Sequence, residues 1–460
     1  MSGLTPAQDV IERGLSVAEG DAVILVVEGS EADVRFANNT VTTNGVRRSR
    51  QVSVVVTRQV SGGTAVGTAS GSGEVDVEAL VRDATTRARG SGAAPDAAPF
   101  VSGGVDADFG DAPLETGLDA LAPVLDHLRA VLEGGEAKGV KMAGFTRHAY
   151  DTTYLGTSSG LRRRFVQPEG AVKLNGRADG GKRSSWVGMG TPDFTDVNFL
   201  AMEAEIYRRL QWATREIDLP AGRYETIMPA TTAADMMSYL AFSLDGQDAE
   251  DGRSVFSRPG GGIRYGHQLS PLPFQVYSDP HAAGLTTRPF VATGTSRGAE
   301  SVFDNGFPLA PTTWIDKGTL ANVHLSRAAA ARLGRTATPA IDNLIVELPG
   351  STATVDEMVA NTERGLLLTT LWYIRVVDPG TLLLTGLTRD GVFLVENGSV
   401  VGQVNNFRFN ESPVDLLSRA TEAGAAVRTL SRENGEYLNR TIACPLRIPD
   451  FNMSSVSPAS

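Results

Sequence analysis

Alternation of apolar and polar residues dominates the last third of the chain, and a period of two predicts strands. The clearest case is a β-hairpin, because the valine-rich runs 392–395 and 400–404 flank Asn397-Gly398. Asn-Gly readily adopts the positive φ that both central positions of a type I′ turn require. Ser412-Pro413 then supplies an N-cap and a first helical position, which predicts that a helix begins there.

Helical and strand-like periods also divide the first half into elements. A short amphipathic helix is predicted after Thr5-Pro6, and a strand at 22–28 leads into an antiparallel meander with turns at Asn38-Asn39 and Asn44-Gly45. Residues 91–113 are rich in Gly, Ala, Pro and Asp and have no period, which predicts an exposed connection. The other predicted elements are helices at 76–89, 118–132 and 196–213 and strands at 141–154, 161–166, 171–175 and 184–189.

The predicted domain boundary is the helix-breaking sequence LPAG at 219–222, which divides the chain into domains 1–219 and 220–460. Beyond it we expect a strand, a helix capped by Thr231 or Thr232, a long loop with short strands over 245–282 and a hairpin around Lys317-Gly318. Strands cluster instead of alternating singly with helices. The predicted fold class is therefore α+β, with two domains, mixed or antiparallel sheets, packed helices and a β-rich C-terminal domain.

Composition and charge exclude several classes of protein. The 460 residues include 42 basic and 53 acidic side chains, and the net charge of −11 argues against sequence-independent binding of nucleic acid. No apolar run approaches the roughly 18 to 20 residues of a membrane span, and the N-terminus lacks the pattern of a signal peptide, so a cytoplasmic protein is expected. The single cysteine, Cys444, excludes a disulfide within the chain.

Histidine spacing gives no sign of a zinc site. A zinc hydrolase needs about three protein ligands and an open position for water, usually with a glutamate as base. No histidine is followed by Glu, and no two are spaced to share one face of a helix. The five are His127, His148, His267, His281 and His324.

Two serines match the G-x-S-x-G pattern of a nucleophile elbow. They are Ser158 and Ser296, and the fact that the pattern occurs twice shows how little it specifies. An elbow requires a strand before the serine and a helix after it, whereas the sequence after Ser158 has the pattern of a strand. Turns are the preferred interpretation, and a hydrolase that uses Ser158 as nucleophile is the weakest of the functional hypotheses.

Charged clusters offer two further candidates. The carboxylates of Asp245, Asp248, Glu250 and Asp251 suit calcium or magnesium, but their spacing does not fit an EF-hand loop, so a solvated acidic loop is preferred. Alternation on a strand places Arg162 and Arg164 on one face, where they would meet a peptide carboxylate or an acidic partner. An exposed strand face without a ligand is the preferred interpretation.

Two other features are interpreted as structural. Gly260-Gly261-Gly262 lacks the lysine and hydroxyl residues of a phosphate loop and is expected to be a flexible connection. Trp212, Trp314 and Trp372 lie in apolar sequence and are expected to be core or interface anchors.

Several segments, in order, resemble the TldD/PmbA family, and within it the TldE (PmbA) branch. They include LPAGRYETIMP, LAFSLDGQDAEDGRS, VYSDP, FDNGFP, TTWIDKGTLANVHLS and, above all, the stretch 371–417 that contains the hairpin. A looser similarity extends over the N-terminal half. This resemblance implies a cytosolic heterodimer of a TldD and a TldE subunit. The TldD subunit carries a zinc site formed by an HExxxH helix and a cysteine near the C-terminus. It cleaves unstructured peptides inside an enclosed chamber.

This sequence departs from that zinc pattern. The segment that matches the HExxxH helix is apolar, and residues such as Met237 and Phe242 occupy the ligand positions. Cys444 lies in the general region of the ligand cysteine, but with no histidines nearby it is interpreted as a buried, inert thiol. We therefore expect neither a catalytic residue nor a metal in this chain, and zinc in a TldD-like partner.

The resemblance and the missing ligands together predict a non-catalytic TldE/PmbA-like subunit that completes the proteolytic chamber of a heterodimeric zinc metallopeptidase for unfolded peptides. It is expected to be inactive alone. The alternative is a stand-alone peptide-binding or regulatory protein without a link to proteolysis. The residues that line the chamber and the peptide substrate stay open, as does the choice between homodimer and heterodimer.

Overall fold

The first six strands form one antiparallel sheet in the computed structural model, which describes residues 4–457. Their order across the sheet is β3-β2-β1-β4-β5-β6, so β1 and β4 are central. Most of these strands are long, which makes the sheet a broad surface. The strands are β1 (Ala22–Ala37), β2 (Thr40–Val60), β3 (Gly63–Ser72), β4 (Lys141–Thr157), β5 (Arg162–Ala178) and β6 (Arg183–Thr191).

Four helices cover two separate regions of this sheet. They are α1 (Ala7–Ser16), α2 (Val77–Gly90), α3 (Ala122–Ala137) and α4 (Phe199–Trp212). Ile11 of α1 and Val81 of α2 pack in one apolar cluster with Ile24 of β1. Leu128 of α3 and Ile206 of α4 belong to a second cluster. The burial of these apolar faces is what attaches the helices to the sheet.

One predicted turn in the meander is confirmed and the other is wrong. Asn38 and Asn39 have φ of 51° and 63° and connect β1 to β2. Asn44-Gly45 instead lies inside β2, paired with Val34 and Asp33 of β1. The continuous ladder with β1 overrides the turn preference of Asn-Gly. Likewise, the separately predicted strands at 161–166 and 171–175 are one strand, β5, which pairs with β4 along its length.

The connection over 91–113 is irregular, as predicted, but one side of it covers apolar surface. Phe109 is buried beside Tyr154 of β4, with their ring centroids 6.1 Å apart. Ala94 and Phe100 pack against a cluster that includes Leu155. The expectation of a fully exposed segment is therefore wrong for these residues, whose apolar side chains supply the burial.

Up to residue 457, where the description of the structure ends, the second half contains sixteen strands and five α-helices. The strands are β7 (Glu216–Ile217), β8 (Gly222–Met228), β9 (Gln275–Ser278), β10 (Thr312–Asp316), β11 (Thr319–Leu320), β12 (Leu344–Glu347), β13 (Arg364–Leu368), β14 (Leu371–Asp378), β15 (Leu383–Thr388), β16 (Val392–Glu396), β17 (Ser399–Val404), β18 (Phe407–Glu411), β19 (Glu422–Ala423), β20 (Val427–Thr429), β21 (Thr441–Ala443) and β22 (Leu446–Val456). The helices are α5 (Ala230–Phe242), α6 (Gly246–Glu250), α7 (Arg327–Leu333), α8 (Val355–Ala360) and α9 (Pro413–Arg419).

These strands form two sheets with a shared apolar core. The larger has the order β14-β15-β18-β22-β8-β13-β16-β17-β7, with β19 paired to β22, and the smaller has the order β11-β10-β9-β12-β21-β20. Both are mixed, because β8 is parallel to β13 and β12 is parallel to β21. The α+β class and the β-rich C-terminal region are confirmed.

Local turn chemistry predicted several elements of this half correctly. Asn397 and Gly398 have φ of 49° and 76° between β16 and β17, and α9 begins at Pro413 after Ser412. Lys317 and Gly318, at 48° and 78°, connect β10 to β11.

Two predictions in the same half are wrong. Helix α5 begins at Ala230 after Pro229, so neither Thr231 nor Thr232 is the cap. The predicted loop 245–282 contains α6, which begins where Asp245 accepts hydrogen bonds from the backbone amides of Gln247 and Asp248.

The division at 219–220 stays a prediction, and β7, which precedes it, already belongs to the larger C-terminal sheet. None of the helices in the described part of the chain is long and apolar enough to cross a membrane.

Candidate functional site

Helix α5, where the family resemblance of the sequence places the HExxxH helix, is mostly enclosed by the second-half core. Met237 is 0% exposed and packs in the cluster that includes Val346 of β12 and Leu366 of β13, whereas Phe242 is 51% exposed. Five residues apart, they lie about 140° from each other around the helix. Neither a thioether nor a phenyl ring belongs to the usual zinc ligands. These two positions therefore do not fit zinc.

A buried carboxyl lies on the same helix. Oδ1 of Asp235 accepts a hydrogen bond from the Ser431 hydroxyl at 2.6 Å and another from the Glu433 backbone amide at 3.0 Å. Oδ2 is buried without a donor. Burial raises the pKa of Asp235 to about 7. The only sign of this group in the sequence is a single acid in an otherwise uncharged helix.

The carboxyl of Asp235 is connected through residues 431–434 to the edge strand β14. Asn434 donates to the Ser238 hydroxyl at 2.7 Å, which attaches this segment to α5 a second time. The carboxylate of Glu433 accepts hydrogen bonds from the backbone amides of Tyr373 and Ile374 at 3.0 and 2.9 Å. A short chain of hydrogen bonds thus links Asp235 to β14.

Cys444 lies in the same apolar core. It is fully buried, and its backbone amide donates to the carbonyl of Val346 at 3.1 Å. Burial raises the pKa of its thiol to about 12. Because the thiolate is the form that binds metals and attacks electrophiles, the environment keeps this side chain unreactive.

The histidines do not assemble into a ligand set. His148 contacts the Thr116 hydroxyl at 2.7 Å, and burial lowers its pKa. His324 packs edge-on against Trp314, and desolvation lowers its pKa to about 4. Within residues 4–457, no three His, Cys, Asp or Glu side chains are placed to hold a metal ion. The donor set of the described chain thus does not fit a zinc centre.

A cavity of about 820 Å³ lies between the 91–96 segment and the second half. Its polar lining includes Asp96, Gln247, Ser296, Glu300, His324 and Arg332. Arg332 donates to the side chain of Gln247 at 2.9 Å, and burial raises the pKa of Glu300. Oδ2 of Asp96 is buried without a hydrogen-bond donor. Small and apolar residues supply much of the remaining lining, which suits an uncharged stretch of a ligand with a few polar contacts.

The two G-x-S-x-G serines lie in turns or irregular structure. Ser158 Oγ accepts the Ala22 backbone amide at 3.0 Å and donates to Asp21 at 3.3 Å, and strand β5 follows it. Ser296 Oγ accepts the Val302 backbone amide at 3.1 Å. Neither serine is followed by the helix of a nucleophile elbow. Their hydroxyls stabilise local backbone.

The three aspartates of the acidic cluster are engaged within the protein. Asp245 caps α6, while Asp248 and Asp251 both form ion pairs with Arg253 at 2.7 Å. Gly260, Gly261 and Gly262 all have positive φ, in a turn closed by the bridge between Ser257 and Ile263.

The arginine cluster on β5 is not the exposed face that the sequence predicted. Arg162 pairs with Glu12 at 2.6 Å, and Arg164 pairs with Asp108 at 2.9 Å. Both side chains are largely buried, because α1 and the 91–113 connection supply acids that cover them. The sequence could not reveal acids placed so far away along the chain.

Comparison with known proteins gives one family and several similar structures. The PmbA/TldA metallopeptidase C-terminal domain matches residues 221–455. The crystal structure of TldE from Thermococcus kodakarensis has a TM-score of 0.77 at 14% identity, covering 97% of this chain and 99% of that one. A proposed modulator of a DNA gyrase from Thermotoga maritima has a TM-score of 0.77 at 16% identity, with coverage of 97% and 99%. No curated protein sequence matches. At these identities the structural likeness shows a shared fold.

Proposed function

The chain belongs to the TldD/PmbA metallopeptidase family, and from this premise we propose that it is the non-catalytic, TldE/PmbA-like subunit of a heterodimeric zinc metallopeptidase. The complex processes unfolded peptides in the cytoplasm. Zinc and the catalytic glutamate belong to a TldD-like partner with an HExxxH helix. This chain completes the chamber in which the peptide is cleaved.

The observation that carries the proposal is the chemistry of α5. Its ligand positions hold Met237, which is buried in the core, and Phe242, which is half-exposed. Cys444 is enclosed by apolar side chains. Conversion of this helix into a zinc site would require new ligands at both positions and access to a buried thiol. A structural role beside a metal-bearing partner is consistent with these residues.

The 820 Å³ cavity is our candidate for peptide contact. It combines apolar wall surface with polar and charged side chains that are able to orient a ligand. One wall of the cavity is attached to the edge strand β3, because the amide of Ala94 donates to the carbonyl of Thr64 at 2.8 Å. An extended peptide binds exposed strand edges through main-chain hydrogen bonds, which tolerate many sequences.

Filling the cavity is expected to weaken peptide binding. Ala93 is exposed and lines it, so Ala93→Trp adds an indole without disturbing the core. In the complex with a TldD-like subunit, we expect KM for a peptide to rise about tenfold, equivalent to about 1.4 kcal/mol, with little change in kcat. Ala112→Trp, in the same connection but outside the cavity lining, is the matched control. An unchanged KM in Ala93→Trp would remove the cavity from the peptide site.

The heterodimer is tested by co-expression with a TldD-like subunit that carries HExxxH. We expect a stable one-to-one complex on affinity purification through a tag on either chain. If no HExxxH-bearing relative co-purifies, the heterodimer is wrong, and the alternative of a stand-alone peptide-binding or regulatory protein gains support.

A further inference from the structure

A second cavity, of about 350 Å³, lies between the two halves of the chain. The turn between β5 and β6 forms one side of it, and the connection between β15 and β16, together with β17, forms the other. Three cationic side chains line it: Arg177, Lys182 and Arg389. Ser184, Asp390 and Gln403 are among the remaining lining residues.

The acids near this cavity are already engaged by other groups. Asp390, the acid in the lining, pairs with Arg432 at 2.5 Å and accepts a hydrogen bond from the Ser184 hydroxyl. Asp179, which lies in the β5–β6 turn, pairs with Arg183 at 2.6 Å and interacts only more weakly with the charge of Lys182. Neither acid is therefore available to neutralise the cationic lining fully.

Within residues 4–457, none of the three cations forms an ion pair, and the weak interaction of Lys182 with Asp179 is the only contact with an acid among them. Arg177 donates only to the side-chain oxygen of Asn175, at 3.2 Å. Between residues 4 and 457, the structure gives the side chains of Lys182 and Arg389 neither an ion pair nor a hydrogen bond. Three positive charges from separate elements thus converge on one cleft of a protein whose net charge is −11.

Such a cleft attracts anions for a general reason. Low-dielectric walls focus the field of charges of one sign, so the local potential exceeds that of the same charges on an open surface. Guanidinium groups match the geometry of phosphate and carboxylate oxygens, and their charge-assisted hydrogen bonds are roughly twice as strong as neutral ones.

We propose that this cavity is an oxyanion-binding site, in which Arg177, Lys182 and Arg389 together hold an anionic group the size of a phosphate or a carboxylate. The group comes either from free inorganic phosphate or from the C-terminal carboxylate of a peptide. The bound oxyanion bridges the β5–β6 turn and the β15–β16 connection, so it stabilises the contact between the two halves. This site is separate from the 820 Å³ cavity and does not depend on the proposed function.

Isothermal titration calorimetry of the full chain tests the proposal. Inorganic phosphate is the titrant, and potassium chloride keeps the ionic strength constant. A parallel arm uses an N-acetylated tripeptide as the free acid and as the C-terminal amide. We expect saturable binding of phosphate or of the free acid, and no binding of the amide. Phosphate binding alone identifies a phosphate site, and free-acid binding alone identifies a carboxylate site. Absence of binding in both arms overturns the proposal.

Variants assign the binding to this cavity. Arg389→Gln is expected to raise the dissociation constant of the anion about tenfold, in line with the loss of a charged hydrogen bond. Lys182→Gln changes an exposed residue in a turn, so it supplies a second variant if Arg389→Gln folds poorly. Arg58→Gln, an exposed arginine on β2, is the matched control for loss of one positive charge and should leave affinity unchanged. Equal affinity in all three variants would contradict the assignment.

Discussion

Replacement of Asp235 by asparagine is expected to stabilise the chain by roughly 4 kcal/mol at pH 8 and by much less at pH 5. The pKa of this carboxyl rises from its ordinary value of 3.8 to about 7 because it is fully buried on α5. Each pKa unit corresponds to about 1.4 kcal/mol. Asparagine keeps an oxygen that accepts the hydrogen bonds of Ser431 and Glu433, and it carries no charge.

The direction follows from proton binding. Between pH 4 and pH 7 the folded chain holds a proton on Asp235 that the unfolded chain has lost, so the free energy of unfolding decreases as pH rises through this window. Above pH 7 the carboxyl of Asp235 is charged in both the folded and the unfolded chain. The free-energy cost of burying its charge is then fully present. The asparagine variant does not titrate there, so the difference between the two proteins grows from pH 5 to pH 8.

Urea denaturation at several pH values measures this effect. Asp248→Asn is a suitable control, because that carboxylate is exposed and pairs with Arg253. We expect it to change stability by no more than about 1 kcal/mol, as is usual for exposed ion pairs. If Asp235→Asn lowered stability equally at every pH, the burial of an unfavourable charge on α5 would be refuted.

Arg50→Met is expected to destabilise the chain by about 3 to 5 kcal/mol, the cost of a buried charge without its partner. Arg50 on β2 faces Glu28 on β1, with 2.5 Å between Nη2 and Oε1, and both side chains are only 3% exposed. Without the guanidinium, the carboxylate of Glu28 stays buried without the partner that faces it.

A double-mutant cycle separates this cost from simple loss of packing. Adding Glu28→Gln to Arg50→Met removes the orphaned charge, so the double variant should recover much of the lost stability. Arg47→Met, whose exposed side chain pairs with Glu31, should cost less than about 1 kcal/mol. A loss below that value for Arg50→Met, or no recovery in the double variant, would contradict the prediction.

Turn chemistry explains which parts of the fold could be predicted from the sequence. Asn397, Gly398 and Gly318 readily adopt positive φ, so the hairpins at Asn397-Gly398 and Lys317-Gly318 were correctly predicted. Asn44-Gly45 has the same local preference, but long pairing of β2 with β1 decides its conformation. Strand β5 continues through Pro168 because β4 pairs with it on both sides of that residue. These long ladders depend on distant residues and leave little local sign.

The same contrast between local and distant residues applies to the candidate sites. The unsuitability of Met237 and Phe242 as zinc ligands could be predicted, because it concerns residue types at matched positions. The environment of Asp235 could not, since its partners Ser431 and Glu433 are almost 200 residues away. The cationic cleft combines residues from 177 to 389, and only the packing of the two halves brings them together.

The central claim is that this chain supplies structure and its partner supplies zinc. The most direct test measures zinc content and peptide cleavage for the purified chain alone and for its complex with a TldD-like subunit. The account predicts about one zinc per heterodimer, cleavage only by the complex, and loss of cleavage when the HExxxH glutamate of the partner is replaced by glutamine. Stoichiometric zinc and peptide cleavage by the lone chain would contradict it.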